Sequence, residues 1–356
     1  MRVVMLSLPV GLLLGCPQAE DTVSEGKETG EDTASGGGDE DNWRASGSGF
    51  AYFTDGEADN SLFRLELTRA LPPREGEAYF GFVSSPSSGL VPLGEITLNG
   101  EDVDFSADIG ENAIAGGYNH FEAWASAGDG SEPEGDPVWE GDVDTTVYDV
   151  IQRLLIANPD TPSGEGSLRA LETQLEFLRD EATAAATGGL SLTELQLVGE
   201  KIGNALEDPT EDANNDGDDD VYDNNFAVEA DDEKGDIGYV ELILADFVVA
   251  VAALDLTDPD HNDPIRDYIE QAYDGPQFVE YQTAHFAAPK ARSAADDTST
   301  SLAEQSLTEV AEDMANYLTG FDADQDGTVE ADTEMGIETS IDLTSQMVQM
   351  PVNVAN

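Results

Sequence analysis

The chain has 356 residues, 39% of them hydrophobic and 7% aromatic, enough to build cores for two domains. Its charge is lopsided, with 76 Asp and Glu against 14 Lys and Arg and a formal net charge of −62. Nucleic acid is excluded as a partner, because phosphates need Lys and Arg to displace their counterions; anionic membrane surfaces are disfavoured on the same ground. Divalent cations and basic partners remain. Only four residues are Lys, so most of the acids read as a solvated coat suited to a salty medium, where screening weakens self-repulsion.

Residues 1–15 read as a signal peptide, with Arg2 as the positive start and an apolar run over 3–14 that is too short to span a bilayer. Leu13-Leu14-Gly15-Cys16 resembles the lipobox of bacterial lipoproteins. That resemblance implies cleavage before Cys16 and acylation of its thiol and new amino group, which anchors the protein stably to a membrane of the bacterial cell envelope, on the extracytoplasmic side. Cys16 is the sole cysteine, so neither an intrachain disulfide nor a Cys-based metal site is possible. His120, His261 and His285 are scattered singly and do not suggest zinc. Residues 16–46 are acidic and rich in Gly, Ser and Thr; they predict a disordered acidic tether that its own charge keeps extended.

Residues 47–145 read as β. Short alternating runs at 50–53, 62–67, 78–83, 103–107, 121–125 and 138–139 are separated by Asp55-Gly56, Pro72-Pro73, Asn99-Gly100, Gly116-Gly117 and Asp129-Gly130. The pattern predicts a small antiparallel sandwich or barrel. Leu71-Pro72-Pro73, Gly76-Glu77-Ala78-Tyr79-Phe80-Gly81-Phe82, Leu93-Gly94, His120-Phe121-Glu122-Ala123, Gly128-Asp129-Gly130-Ser131-Glu132-Pro133 and Val138-Trp139-Glu140-Gly141 follow in order. Together they resemble the extracytoplasmic C-terminal domain of anti-sigma-K-type factors, over roughly residues 60–145. The resemblance implies a β-sandwich outside the cytoplasmic membrane. Sigma-factor control is not implied, since no sigma-binding domain or transmembrane helix accompanies the module.

Residues 146–356 read as a helical domain, with helical periodicity over 147–156, 168–186, 191–206, 239–254, 264–273, 298–318 and 335–347. Ser191 and Glu194 stand in capping-box spacing. The apolar segment 239–254 is short and carries Glu241 and Asp246, so it predicts a buried central helix rather than a membrane span. Part of this region resembles a helical domain that follows anti-sigma-like β-domains in some envelope proteins, but Gly199-Glu200-Lys201 stands where that domain carries a His.

Two stretches carry ligand chemistry. Asp212-Ala213-Asn214-Asn215-Asp216-Gly217-Asp218 and Asp322-Ala323-Asp324-Gln325-Asp326-Gly327-Thr328 both read D-x-[DN]-x-D-G, the first half of an EF-hand calcium loop. Oxygens at positions 1, 3 and 5 converge on one hard cation, and Gly at 6 makes the sharp turn. In the first loop the ligands are Asp212, Asn214, Asp216, the Asp218 carbonyl and Asp223 at position 12; Asp219 replaces the usual apolar residue at 8. In the second they are Asp322, Asp324, Asp326, the Thr328 carbonyl, Glu330 and a displaced Glu334, or Asp332 before it, since position 12 is Thr333. An all-oxygen set without His or Cys suits Ca²⁺, one or two ions, better than zinc. The bland alternative is a solvated acidic turn in each place. No G-x-S-x-G, H-E-x-x-H or phosphate loop occurs, and no enzyme is expected.

The sequence thus predicts an α+β, multidomain chain: a small antiparallel β-sandwich followed by an α-helical bundle with EF-hand-like loops. Its expected role is that of a membrane-anchored envelope lipoprotein whose calcium loops are structural, with an unidentified protein partner possible. The alternative is an envelope sensor or regulatory module related to anti-sigma extracytoplasmic domains.

Overall fold

Alternation of buried and exposed residues along short runs dictates the sheet. In this computed structural model, which describes residues 46–55, 60–87, 89–133, 136–207, 221–222, 227–228, 238–257, 264–321 and 335–355, the N-terminal half forms β1 (Ser48–Thr54), β2 (Leu62–Thr68), β3 (Ala78–Ser85), β4 (Gly89–Ile96), β5 (Leu98–Asn99) and β6 (Asp102–Asp108). A single helical turn, α1 (Ala113–Gly116), precedes β7 (His120–Ser126) and β8 (Trp139–Asp142). The last strand, β9 (Gln349–Val354), comes from the far end of the chain. All pairings are antiparallel. The order is β4-β3-β7-β8-β9-β1-β2-β6-β5.

The sheet curls until it nearly closes, and the core shows why. Phe63 on β2 and Phe121 on β7 have three strands between them in the sheet, yet their rings stack with centroids 5.2 Å apart. Phe53 meets Phe63 edge-on at 5.5 Å, and Tyr79 lies against Trp139 at 4.4 Å. These aromatic side chains are all buried and fill the interior from opposite walls. The outer edges approach one another as well, with β4 lying near β6.

The helices are α2 (Thr145–Leu155), α3 (Ser167–Thr187), α4 (Leu192–Leu206), α5 (Tyr239–Thr257), α6 (Pro264–Gln282), α7 (Ala288–Asp296), α8 (Thr300–Thr319) and α9 (Ile337–Gln346). They pair as α2 with α5, α3 with α8, α4 with α7 and α6 with α9. α9 also touches β1, which joins the helical layer to the sheet. α6 and α7 are one continuous helical run through a π-helical turn, Thr283–Ala287. Pro289 has no N–H to give, and just before it the Ala288 N–H reaches back to the Thr283 carbonyl, which absorbs the break without ending the helix.

The expected strands and helices overlap these elements, with several expected ends running one or two residues past the observed ones, and the mixed α+β class holds. Three features differ from the sequence reading. β4 was not expected; its run carries Gly89, Pro92 and Gly94 and is mostly exposed. β9 was not expected either, although Met350, Val352 and Val354 alternate. Pro351 argues against a central strand, but β8 pairs only with residues 352–354, so the missing N–H costs no ladder bond there. Finally, helix continues through Gly275 and Pro276 to Asp296. The described residues all fall within one compact unit that begins at Arg44. None of their helices is long and apolar enough to cross a membrane.

Candidate functional site

Every sequence-derived metal ligand, from Asp212 to Asp223 and from Asp322 to Glu334, lies outside the described residues, as does Cys16. What is described is the base of each loop. α8 ends at Gly320, which takes a positive φ of 89° and whose N–H donates to the Asn316 carbonyl at 2.8 Å. α9 begins after Gly336, where a Cβ would collide with the backbone of Gly320 and Leu318. The chain therefore leaves and re-enters at one point, where only glycine lets the two backbones touch.

The base of the first loop is tied by hydrogen bonds instead. The Val228 N–H donates to the Ala205 carbonyl at the end of α4 (3.0 Å), and the Val228 carbonyl accepts from Val240 at the start of α5 (3.1 Å). Ala227 likewise accepts from the Tyr239 N–H at 3.1 Å. Glu241 caps α5 through the Gly238 N–H at 3.0 Å. Nearby, Tyr222 packs edge-on against Phe177 of α3 (4.9 Å), with the Lys201 ammonium 5.8 Å from its ring centre.

A second feature was not legible in the sequence. A cavity of about 610 Å³ opens between β1, α6 and α9. Tyr52 of β1 faces it, and its hydroxyl donates to Glu66 Oε1 at 2.5 Å. That bond to a carboxylate, with burial behind it, pushes the phenol up to about 12. Asn60 also lines the cavity and is only 8% exposed. Its backbone is fixed, since its N–H donates to Asp55 Oδ1 (3.0 Å) and its carbonyl accepts from Ala113 (3.1 Å), at φ 53°. Its carboxamide makes no hydrogen bond among the described residues. The same holds for the side chains of Tyr268 on α6, Asp342 and Gln346 on α9, and Gln349 on β9, all of which line the cavity. Burial raises the Asp342 carboxyl and the like charge of Asp55 adds to it, with Arg169 opposing. Among the described residues no Lys, Arg or His lines the space.

Two titratable clusters lie elsewhere. His120 on β7 is held between Asp142, at 2.6 Å from Nδ1, and Glu122, at 2.8 Å from Nε2. Burial pulls the imidazole down, but the two carboxylates outweigh it and His120 stands above its ordinary value of 6.5. The carboxylates lie at opposite ends of the ring, so the trio does not converge on a point. Inside the helical layer, Asp246 of α5 accepts from Arg153 Nε of α2 at 3.0 Å, and the other arm of Arg153 reaches Asp160 at 3.0 Å. Burial raises the Asp246 carboxyl and Arg153 draws it back. Among the described residues no three metal-ligating side chains form a group able to hold a metal.

Set beside known protein families, curated proteins and solved structures, the chain finds no match. The cavity escaped the sequence because its walls come from β1, Asn60 ahead of β2, Glu66 on β2, α6, α9 and β9, and no local motif links them. The one available signal was the period-two alternation in 349–354, which would have brought Gln349 beside Tyr52.

Proposed function

We propose that the protein is a lipid-anchored protein of the bacterial cell envelope whose two Asp-rich loops bind Ca²⁺ in a structural and interaction role, without catalysis. The observation that carries this is the pairing of each D-x-[DN]-x-D-G stretch with a closed base between two helices, α4 and α5 for the first and α8 and α9 for the second. A calcium loop needs its ends held close, so that carboxylates at both ends reach one ion. Without the ion, several carboxylates would face one another across each loop and force it open. Bound Ca²⁺ would therefore fasten α8 to α9 and α4 to α5. Extracellular sites of this kind bind at about 10⁻⁴–10⁻³ M. At roughly 100 times Kd a site adds about 2.7 kcal/mol of stability. Kinship of the sheet with the anti-sigma-K-type β-sandwich belongs to the same proposal.

Calorimetric titration of the full chain with Ca²⁺, beside thermal melts in calcium and in excess chelator, tests it. One or two ions and a melt raised by several degrees are expected, with Asp322→Ala and Asp212→Ala each removing one site. No heat and superimposed melts would return both loops to the acidic coat. Lipidation is checked separately: incorporation of a clickable palmitate analogue should be lost in Cys16→Ser.

A further inference from the structure

We propose that the cavity between β1, α6 and α9 is a binding site for a neutral saccharide of one or two rings. The volume of about 610 Å³ falls within the usual range for small-molecule sites, about 300–1,000 Å³. Its chemistry narrows the ligand by elimination. With no basic side chain among the described lining residues, an anionic ligand finds no counter-charge. An apolar ligand would bury the side chains of Asn60, Tyr268, Gln346 and Gln349 against carbon, and each unsatisfied polar group costs about 1–3 kcal/mol.

A cation is the next alternative, since carboxylates are present. In a chain of net charge −62, however, acids line any surface, and their presence here carries little weight. Glu66 already accepts a hydrogen bond from Tyr52, and the described residues hold no converging trio of metal ligands. What distinguishes the cavity is its set of neutral groups with unspent capacity. A carboxamide offers two donors and an acceptor, and a phenol one of each. A sugar hydroxyl is likewise both donor and acceptor, so it needs this mixed complement. Asn60 is the sharpest case: it is 8% exposed, its backbone is fixed on both sides, and its carboxamide has no partner among the described residues. Tyr268 and Phe50, which is 37% exposed, add ring surface on which the C–H face of a sugar can rest. None of the cavity residues named here belongs to either Asp-rich loop.

The test is saturation-transfer NMR on the full chain at physiological salt, with maltose, cellobiose, lactose and chitobiose as probes and spermidine and digalacturonate as charged controls. At least one neutral disaccharide should receive saturation at its ring protons, with millimolar or tighter affinity. Gln346→Ala should weaken that binding about tenfold, and Tyr268→Ala at least as much. Gln346 is exposed on α9, so its variant keeps the fold even if the Tyr268 variant does not. Failure of all four neutral probes overturns the proposal. So does binding that ignores Gln346→Ala, or binding of spermidine alone.

Discussion

The sharpest electrostatic commitments are made by single residues. Asp246 is 7% exposed, and its charge is tolerated because Arg153 reaches across from α2. Removing one partner of such a pair costs more than the pair was worth, because the other charge is stranded. Arg153→Met should lower stability by about 3 kcal/mol at neutral pH, as read by chemical denaturation. The sign of the pH dependence follows from the raised carboxyl: the folded state takes up a proton more readily than the unfolded chain, so the deficit should shrink as pH falls through the folded carboxyl's range. A deficit that stays constant with pH would remove Asp246 as its cause. His120 behaves in the opposite sense to a salt-bridged acid. Its folded value is raised above the unfolded 6.5, so the stability it lends is full below about pH 6.5 and fades as pH rises through the folded value. A histidine-resolved NMR titration should place His120 above 6.5, and His120→Gln should flatten the stability slope in that window. Titration at or below 6.5 would mean that burial, not the two carboxylates, governs the ring.

Helix packing turns on where glycine is required. α4 lies against α7 so closely that a Cβ on Gly199 would sit 2.7 Å from the Ala295 nitrogen and 2.8 Å from the Ala291 carbonyl oxygen. Backbone cannot step aside as a side chain can. Gly199→Ala should therefore cost about 1–3 kcal/mol despite alanine's better helix propensity. One turn on, a Cβ at Gly203 meets nothing closer than the Arg292 Cγ at 3.3 Å, the stem of a flexible side chain, with the Ala291 Cβ at an ordinary 3.8 Å. Gly203→Ala should be near neutral or slightly stabilising, and equal losses at both positions would sink this account of the α4–α7 contact. The helices themselves were legible in the sequence because their signals are local. Ser191 and Glu194 form the reciprocal cap their spacing promised, with the Ser191 N–H donating to Glu194 at 2.8 Å. The apolar period over 168–186 is the buried stripe of α3. The run through Gly275 and Pro276 was not legible, because those residues break helices in isolation. Gly275 is helical here where it packs against Ser340 of α9, a contact between residues far apart in the chain. The cavity was hidden for the same reason.

At the scale of the whole molecule, the sequence placed a boundary near residue 145, where period two gives way to period 3.6. The change of period is real, but the last strand crosses back over it. β9 stands between β8 and β1, and among the described residues it is the strand whose hydrogen bonds join β4-β3-β7-β8 to β1-β2-β6-β5. Met350 and Val352 on it are buried, and Ala355 just beyond bonds the Val138 carbonyl at 3.1 Å. Residues 46–145 alone would therefore hold two half-sheets with two bare inner edges, and such edges pair with other chains rather than stay open. The expected outcome for that fragment is poor amide dispersion by NMR and aggregation on concentration. Fusing residues 348–355 ahead of Ser46 through a short Asn-Gly turn should restore dispersion, because β9 and β1 are antiparallel neighbours with Val352 opposite Gly49. A dispersed, monomeric spectrum from 46–145 without β9 would show instead that the sheet closes on its own, and that the C-terminal strand is an addition to an independent domain.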